Sequence, residues 1–440
     1  MTPLLTDLYE LTMAAGYFEA GRADQIATFE LSVRRLPRFR NFIITAGLPQ
    51  AVDFLLGCCF NAAEVEYVRS LPQFAHVAPE FFEKLRGFRF AGDVWAAPEG
   101  TALFAGEPVL TLRAPLWQAQ IAETYLLSMI GFQTLIATKA ARVVEVAAGR
   151  GIVEFGTRRA HSPEAGVLAG RAAYIGGCLG TSNTLTGYRY GVPVYGTAAH
   201  SWVLAFQEEM EAHRKLQQLL GPATIYLIDT YDTLEGARKA AALGRPLWGV
   251  RLDSGDLAAL SRQVRRILDE AGLPDAKIMA SGDLDEYSIR KLVAAGAPID
   301  AFGVGTELAT SADSPTLGAV YKMVELEENG VRRYTAKLSS EKVTMPGAKQ
   351  IFRRQDSDMI GGQEERLEGE PLLRHVIAAG KLVAPLESAA EARRHAAQSL
   401  SKLPPPYRRL EMPEPYRVEY SPALLDLLET VRKSVEGAPA

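Results

Sequence analysis

The chain has 440 residues, more than a single hydrophobic core usually holds, so two domains are expected. Apolar residues make up 48% and the formal net charge is −4, which gives no overall attraction to nucleic acid or anionic lipid. The three cysteines form no C-x-x-C pair, which argues against a disulfide framework and a structural zinc site. No apolar run approaches the ~18 residues of a membrane helix and no secretory signal is apparent, so we expect a cytoplasmic location without membrane or nucleic-acid partners.

Residues 1–145 are predicted to form an α+β domain. An amphipathic helix is expected over 4–20, with its apolar face formed by Leu4, Leu8, Leu11, Ala15 and Phe18. The pattern further predicts strands at 26–34 and 42–46, helices near 48–57 and 61–70, an antiparallel β unit over 92–112, and two helices over 116–149.

The pattern changes near residue 150, where short apolar runs recur, most of them followed by a polar or glycine-rich turn and a helix. The seven runs cover 152–155, 177–179, 192–195, 225–228, 248–252, 277–280 and 301–302. Spacings of roughly 15–35 residues are typical of βα units. We therefore predict an irregular α/β barrel of about seven strands over 146–318, closed or nearly closed, because strand-end residues would then converge in one mouth. An open doubly wound sheet is the main alternative.

The last segment, 319–440, is expected to pack back on the N-terminal domain. Strands are predicted over 320–326, 331–338 and 350–353, and helices near 388–400 and 421–436. The basic residues Lys342, Lys349 and Arg353 suit either phosphate contacts or a solvated strand face.

His200 lies in a turn between the run at 192–195 and a helix predicted over 203–220. A histidine in such a turn can present a titratable nitrogen to a cleft. A structural histidine, hydrogen-bonded within a packed turn, is the alternative.

Basic residues follow the first run, at Arg158, Arg159 and His161. Arginine offers several fixed donors to phosphate oxygens, so this turn suits a pyrophosphate. An exposed basic pair without a ligand is the alternative.

Aspartates follow the fourth and fifth runs. Asp229 and Asp253 lie next to the strands and can hold Mg²⁺, directly or through water, or bond sugar hydroxyls. Asp232 and Asp256 are expected to cap the helices that follow. Arg251 must pair with an aspartate or an anionic ligand, since an unpaired buried cation is costly.

Glycine turns follow the sixth and seventh runs, in Ser281-Gly282-Asp283 and Gly303-Val304-Gly305-Thr306. Glycine lets backbone N–H groups approach a phosphate closely, and late barrel strands often bind a phosphate monoester. The strand ends would therefore suit a sugar with phosphate at one end and pyrophosphate with Mg²⁺ at the other.

Four motifs resemble those of the nicotinate phosphoribosyltransferase family, whose members are type II phosphoribosyltransferases. They are Glu154-Phe155-Gly156-Thr157-Arg158-Arg159-Ala160-His161, Gly196-Thr197-Ala198-Ala199-His200-Ser201, Arg251-Leu252-Asp253-Ser254-Gly255-Asp256 and Leu317-Gly318-Ala319-Val320-Tyr321-Lys322. The resemblance extends from Leu4 to Leu410, nearly the whole chain.

The resemblance implies transfer of a phosphoribosyl group from 5-phosphoribosyl 1-pyrophosphate to nicotinate, giving nicotinate mononucleotide and pyrophosphate in NAD biosynthesis. It implies coupling to ATP hydrolysis through a phosphohistidine at His200. It also implies a homodimer with shared sites, in which Asp7 and Tyr9 reach the partner's site and Tyr9 stacks on the pyridine ring. Thr197 and Arg251 match nicotinate-contacting positions.

The predicted site residues fall into three groups. The catalytic group is His200, Asp229 and Asp253, and the two aspartates also hold Mg²⁺ through water. The nicotinate group is Asp7, Tyr9, Thr197 and Arg251. The group for phosphoribosyl pyrophosphate is Arg158, Arg159, His161, Ser254, Gly282, Gly303, Gly305, Thr306 and Thr310, of which Thr310 rests on the resemblance.

Three other functions compete with this one. A nicotinamide phosphoribosyltransferase is the nearest, and Arg251 argues against it because a cation favours a carboxylate over an amide. A quinolinate enzyme would need more cations at the base site and would not use ATP. A catalytically inactive sensor of phosphoribosyl pyrophosphate would not need the intact histidine and aspartates.

Overall fold

In the computed structural model, residues 2–339 and 342–436 are described, without the side chain of Lys342. The chain divides into two compact units. The first comprises 1–135, 316–387 and 398–440, and the second comprises 136–315 and 388–397. None of the helices in the described ranges is long and apolar enough to cross a membrane.

The helices alternate with strands through much of the chain. They are α1 (Leu8–Glu19), α2 (Leu48–Gly57), α3 (Ala62–Ser70), α4 (Pro79–Arg86), α5 (Leu116–Ile121), α6 (Glu123–Val146), α7 (Pro163–Ile175), α8 (Thr184–Tyr190), α9 (His200–Leu204), α10 (Glu209–Leu220), α11 (Thr233–Leu243), α12 (Leu257–Glu270), α13 (Glu286–Ala294), α14 (Thr306–Ala309), α15 (Ala389–Ser401), α16 (Pro405–Arg408) and α17 (Pro422–Glu436). Short 3₁₀ turns lie at Pro72–Phe74, Thr157–Arg159 and Gly221–Ala223.

The strands are short outside the first unit's main sheet. They are β1 (Ile26–Val33), β2 (Ile43–Ile44), β3 (Asp93–Ala96), β4 (Ala102–Leu103), β5 (Pro108–Pro115), β6 (Gly151–Glu154), β7 (Gly180–Thr181), β8 (Ile225–Leu227), β9 (Gly249–Leu252), β10 (Lys277–Ala280), β11 (Ala301–Val304), β12 (Ala319–Glu328), β13 (Val331–Tyr334), β14 (Leu338–Ser339), β15 (Lys342–Val343), β16 (Lys349–Arg353), β17 (Ser357–Gly362), β18 (Glu370–Pro371), β19 (Arg374–Ala378), β20 (Lys381–Leu382) and β21 (Arg417–Tyr420).

The first unit is built on a seven-stranded sheet of order β13-β12-β1-β5-β3-β19-β20. The central strand β1 pairs antiparallel with β12 on one side and β5 on the other. Strand β19 pairs antiparallel with β3. Strands from both ends of the chain therefore share one sheet.

Two of the basic residues near 350 lie in buried ion pairs of the first unit. Lys349 Nζ is 2.6 Å from Glu30 Oε2, and Arg353 Nη2 is 2.6 Å from Asp358 Oδ2. Carboxylates rather than solvent surround them, so the expected solvated strand face is wrong for these two residues. Lys342 lies outside the side chains that are described.

The first helix buries most of the predicted face, since Leu11 and Ala15 are buried and Phe18 packs partly against the core, but Leu8 is an exception. Leu8 is 42% exposed, whereas Glu10 is fully buried beside Leu11. The Thr6 hydroxyl donates to the Glu10 carboxyl, and the Thr124 hydroxyl donates to Glu10 Oε1 at 2.7 Å. Burial nevertheless raises the pKa of Glu10 to about 7. The two hydroxyls allow the Glu10 carboxyl to be buried. The spacing of apolar residues along the helix gives no sign of this.

The second unit contains a six-stranded sheet of order β7-β6-β11-β10-β9-β8, in which every ladder is parallel. This confirms the predicted α/β class with a parallel sheet. Since parallel strands end at the same edge, the turns after β6, β8, β9, β10 and β11 meet there.

The predicted barrel closure is not observed. Across 151–304, all of it described, the edge strands β7 and β8 are not paired with each other. The run at 192–195 contributes only a parallel bridge between Thr181 and Val194. Pro193 has no N–H to donate to a ladder, which limits this run to a single bridge. The sheet is therefore open at this edge.

The helix predicted over 203–220 is two helices, α9 and α10. The chain leaves α9 at Ala205 and re-enters a helix at Glu209. Trp202 Nε1 donates to the carbonyl of Ala212 at 3.1 Å, and the Trp202 and Phe206 rings lie 5.1 Å apart. These contacts fold the first helix against the second, without a glycine or proline to mark the break.

Candidate active site

Arg251, in β9, is the centre of a hydrogen-bond network at the carboxyl edge of the parallel sheet. Its Nη1 is 2.6 Å from Thr197 Oγ1, its Nε is 2.7 Å from Ser281 Oγ, and its Nη2 is 2.6 Å from Asp253 Oδ1. The Arg251 side chain is only 12% exposed. The buried cation is therefore paired, and it ties together turns from three parts of the unit.

Asp253 is held ionised by its neighbours. The Ser281 hydroxyl donates to Asp253 Oδ1 at 2.5 Å, and His200 Nε2 lies 3.8 Å from Asp253 Oδ2. Burial alone would raise the pKa of Asp253, but Ser281, Arg251 and His200 together outweigh burial and lower it. The carboxylate is thus available as an anion at neutral pH.

Asp229 uses one oxygen to brace the neighbouring strand end. Its Oδ2 accepts hydrogen bonds from the Asp253 N–H at 3.0 Å and from the Ser254 hydroxyl at 2.7 Å. The other oxygen, Oδ1, is buried and has no hydrogen-bond partner among the described residues. A buried acceptor without a partner is uncommon and indicates a position for a bound cation or water.

The two aspartates fit a Mg²⁺ ion held through water. Mg²⁺ usually keeps several waters and binds one or two carboxylates together with substrate phosphates. Asp229 Oδ1 lacks a protein donor, and Asp253 Oδ2 has only the long contact to His200. Within the described ranges, no three His, Cys, Asp or Glu side chains are grouped to hold a metal ion. Water and phosphate oxygens would have to supply the remaining ligands.

His200 is the first residue of α9 and remains accessible. Its Nδ1 is 3.2 Å from Thr230 Oγ1, while its side chain is 43% exposed. The ring therefore lies between a hydroxyl and the Asp253 carboxylate, with nearly half its surface open. This arrangement favours a reactive histidine over one packed inside a turn.

Two glycines allow strand-end turns to pack closely. Gly282 has φ +91°, and a Cβ there would lie 2.0 Å from the carbonyl oxygen of Asp253. A Cβ on Gly303 would lie 2.5 Å from the Phe155 ring. The Phe155 ring centroid is 5.8 Å from Arg251 Cζ. The Gly282 turn thus lies against the backbone of Asp253, and Gly303 in β11 leaves room for the Phe155 ring beside the arginine.

The residues predicted to bind pyrophosphate lie on the turn after β6 and are exposed: Arg158, Arg159 and His161. This turn neighbours the turn after β11, because β6 and β11 are paired and a Cβ on Gly156 would lie 2.7 Å from the Gly305 carbonyl oxygen. Thr306 begins α14, and the Thr310 hydroxyl donates to the Thr306 carbonyl at 2.7 Å. The basic turn and the glycine turn are therefore side by side.

Asp7 and Tyr9 belong to the first unit, at the start of α1. The Thr124 hydroxyl donates to Asp7 Oδ2 at 3.1 Å, and Tyr9 is 46% exposed. All other predicted site residues lie in the second unit. The resemblance predicts that Asp7 and Tyr9 reach the partner's site, and within this chain they lie in a different unit from the other predicted site residues.

The prediction that two aspartates cap helices is confirmed. The Asp232 side chain accepts from the Glu235 N–H at 2.8 Å, and the Asp256 side chain accepts from the Ala259 N–H at 3.0 Å. Both are engaged in capping and neither takes part in the Arg251 network.

Sequence reasoning did not single out Ser281, Phe155, Thr230 or Glu154. Ser281 and Phe155 stand next to glycines in the quoted motifs, but their contacts depend on which strands are neighbours. The buried Glu154 accepts from the Thr181 hydroxyl at 2.6 Å and from the Gly156 N–H, and burial raises its pKa. It fixes the turn that carries Phe155.

A parallel α/β sheet with a paired arginine, two aspartates and an accessible histidine at one edge defines an enzyme-like site for an anionic small molecule. Family models specify the class further. Residues 4–131 match the nicotinate phosphoribosyltransferase N-terminal domain, 151–356 the nicotinate phosphoribosyltransferase family, and 360–428 its C-terminal domain. The chain belongs to the nicotinate phosphoribosyltransferase family, as its motifs indicated.

Several relatives cover most of the chain. A nicotinate phosphoribosyltransferase of Mycobacterium tuberculosis is 44% identical over 420 residues, 93% of this chain and 89% of the relative. One of Bacillus subtilis is 41% identical over 387 residues, 84% of this chain and 78% of the relative. The crystal structure of human nicotinic acid phosphoribosyltransferase superposes with a TM-score of 0.85 at 31% identity, covering 97% of this chain and 99% of the human one.

Proposed function

We propose that this chain catalyses the transfer of the phosphoribosyl group from 5-phosphoribosyl 1-pyrophosphate to nicotinate, coupled to ATP hydrolysis, in NAD biosynthesis. The observation that carries the proposal is the Arg251 network, which sets a buried cation and an ionised Asp253 side by side at the edge of the sheet. Family membership supports the reaction, since the relatives are named for it.

Nicotinate would bind at the Arg251 end of the network. The guanidinium is the charged donor for the nicotinate carboxylate, with Thr197 beside it. The Phe155 ring is near enough to Arg251 to pack against the pyridine ring of the same ligand.

Phosphoribosyl pyrophosphate would bind across the neighbouring turns. Its anionic groups suit the exposed basic turn and the backbone of the glycine turns. The residues proposed for these contacts are Arg158, Arg159, His161, Ser254, Gly282, Gly303, Gly305, Thr306 and Thr310.

The chemical step forms a bond between the pyridine nitrogen and ribose C1 and breaks the bond between C1 and the pyrophosphate oxygen. The electron pair of the broken bond leaves with pyrophosphate, and the pyridine nitrogen supplies the new pair. Positive charge develops on the ribose, and Asp229 and Asp253 stabilise it electrostatically. Mg²⁺ bound through these aspartates would neutralise the leaving pyrophosphate. The pyridine nitrogen needs no general base.

His200 has a separate task in this proposal, as acceptor of the γ-phosphoryl group of ATP. Its exposed imidazole supports a nucleophilic role, and the Thr230 hydroxyl and the Asp253 carboxylate fix the ring's orientation. A bond forms between a His200 ring nitrogen and the γ-phosphorus, and the bond from that phosphorus to the ADP oxygen breaks. Water then hydrolyses the phosphohistidine and releases inorganic phosphate.

We further propose a homodimer with shared sites, in which Asp7 and Tyr9 of one chain complete the nicotinate site of the other. The exposure of Tyr9 together with Leu5, Leu8 and Met13 supports an interface on this part of the chain. Residues 146–318, which contain the open parallel sheet, would form the catalytic domain, and 1–145 with 319–440 the flanking domain.

Product formation measured spectrophotometrically with nicotinate, nicotinamide and quinolinate, each with and without ATP, tests the proposal. We expect nicotinate mononucleotide from nicotinate, with a higher rate in the presence of ATP. Preference for nicotinamide would indicate the amide-specific enzyme, and product from quinolinate without ATP the decarboxylating one. Binding of phosphoribosyl pyrophosphate without any product would indicate an inactive sensor.

A further inference from the structure

A buried ionic cluster lies in the second unit, outside the network around Arg251. Lys139, on α6, is 1% exposed, and its Nζ is 2.5 Å from Glu286 Oε2 and 2.8 Å from Asp313 Oδ1. Arg142, one turn further along α6, places Nε 3.1 Å from Glu286 Oε1. Both buried cations are thus paired with carboxylates, as burial of a charge requires.

The two carboxylates paired with Lys139 lie in the segments that follow the two glycine turns of the proposed phosphate site. Glu286 is the first residue of α13 and directly follows the turn that contains Gly282. Asp313 follows α14, the helix that Thr306 begins. One ammonium group therefore connects the turn after β10 with the turn after β11.

These turns have little tolerance for movement. Gly282 approaches the carbonyl of Asp253 so closely that a Cβ would lie 2.0 Å from it. Ser311, between Thr310 and Asp313, is buried at φ +47° and donates from its hydroxyl to the Ser314 carbonyl at 2.9 Å. A shift of either anchor would displace backbone that faces the ligand.

We propose that Lys139 is a positioning residue that holds the turns after β10 and β11 at the spacing required to bind the phosphoribosyl moiety. The inference rests on the proposed function and deepens it. Lys139 does not touch substrate; it acts through Glu286 and Asp313. A purely structural lysine would affect stability and both substrates alike, whereas a positioning lysine affects one substrate selectively.

The test is the Lys139→Met variant, which keeps an unbranched side chain as far as Cε and removes the ammonium group. Initial rates are measured with each substrate varied at saturation of the other. We expect KM for phosphoribosyl pyrophosphate to rise about 10- to 100-fold, the effect typical of a small misplacement of binding groups, while KM for nicotinate rises far less, through the contact of Ser281 with Arg251. Calorimetric binding of phosphoribosyl pyrophosphate should weaken by the same factor.

Lys239→Met is the matched control, because Lys239 also pairs with a buried carboxylate of this unit, at 2.9 Å from Glu209 Oε2, but joins α11 to α10 rather than two site turns. It should leave both KM values unchanged. An unchanged KM for phosphoribosyl pyrophosphate in folded Lys139→Met, or an equal rise of both KM values, would overturn the inference.

A second variant decides the question if Lys139→Met does not fold. Asp313 is 28% exposed, so its loss should disturb folding less, and Asp313→Ala frees only the segment after β11 because Lys139 keeps its pair with Glu286. It should raise KM for phosphoribosyl pyrophosphate and not that for nicotinate, and an unchanged value would refute the proposal. If the wild-type chain makes no product from nicotinate, the proposed function itself has failed, which is a distinct result.

Discussion

Replacing Arg251 by alanine is the most direct test of how the site recognises a carboxylate. Four of the five guanidinium N–H groups have protein acceptors: Ser281 Oγ, Thr197 Oγ1, the Ala198 carbonyl at 3.5 Å and Asp253 Oδ1. The remaining N–H, on Nη2, is the donor that we propose for nicotinate. Arg251→Ala would therefore remove the proposed charged hydrogen bond to nicotinate as well as the partner of Asp253.

The expected magnitude follows from that single bond. A hydrogen bond to a charged group contributes about 1.5–3 kcal/mol, so KM for nicotinate should rise roughly 10- to 150-fold. KM for phosphoribosyl pyrophosphate should rise less, through the loosened Asp253. Initial rates of nicotinate mononucleotide formation, with each substrate varied in turn, give both values, and thermal unfolding reports whether the variant is folded.

Ser281→Ala is the control for this experiment. It removes the acceptor of Arg251 Nε and a donor to Asp253 while the cation remains, so KM for nicotinate should change far less than in Arg251→Ala. If Arg251→Ala raised both KM values by the same factor, Arg251 would serve only to hold Asp253, and the proposed carboxylate recognition would be wrong.

Three further predictions concern the histidine, the interface and a buried acid. His200→Ala should abolish nicotinate-stimulated ATP hydrolysis but retain some ATP-independent nucleotide formation; continued hydrolysis in step with product would exclude His200 as phosphoryl acceptor. Tyr9→Ala and His200→Ala chains, each without ATP-coupled activity, are mixed equally and allowed to exchange, and should recover that activity toward about a quarter of wild type if sites are shared between chains as proposed; exchange verified by mass spectrometry without recovery would place both residues in one chain's site. The pKa of Glu10 is raised from 4.5 to about 7, which disfavours its ionised form, so its stabilising effect falls as pH rises through this range. Relative to wild type, Glu10→Gln should gain stability between pH 5 and pH 8, by at most about 3 kcal/mol at 1.36 kcal/mol per pKa unit, and a melting-temperature difference independent of pH would contradict this.

The strands of the second unit were predictable where a short apolar run ends in turn residues. The runs at 225–228, 248–252 and 277–280 correspond to β8, β9 and β10 within one residue at each end. The caps Asp232 and Asp256 were also predictable, because capping depends on residues only three positions apart.

Features that depend on distant residues were not predictable from local pattern. The break after α9 depends on the Trp202 contact with Ala212, and the burial of Glu10 depends on Thr124, which is 114 residues away. The bond between Arg251 and Ser281 exists because β9 and β10 are neighbours in the sheet. The sequence was enough to identify the reactive residues. Which of them form hydrogen bonds with each other could be known only from the order of the strands in the sheet.

The two carboxylate oxygens of Asp229 have different roles. Oδ2 fastens the main chain at Asp253 and the Ser254 hydroxyl, whereas Oδ1 is left without a protein donor. An amide at this position could keep its oxygen on the first task while turning an N–H₂ group toward the second. The structural and electrostatic roles of Asp229 can therefore be changed separately. An Asp229→Asn variant would present a hydrogen-bond donor where Asp229 presents an acceptor, while the turn at Asp253 and Ser254 keeps its hydrogen bonds.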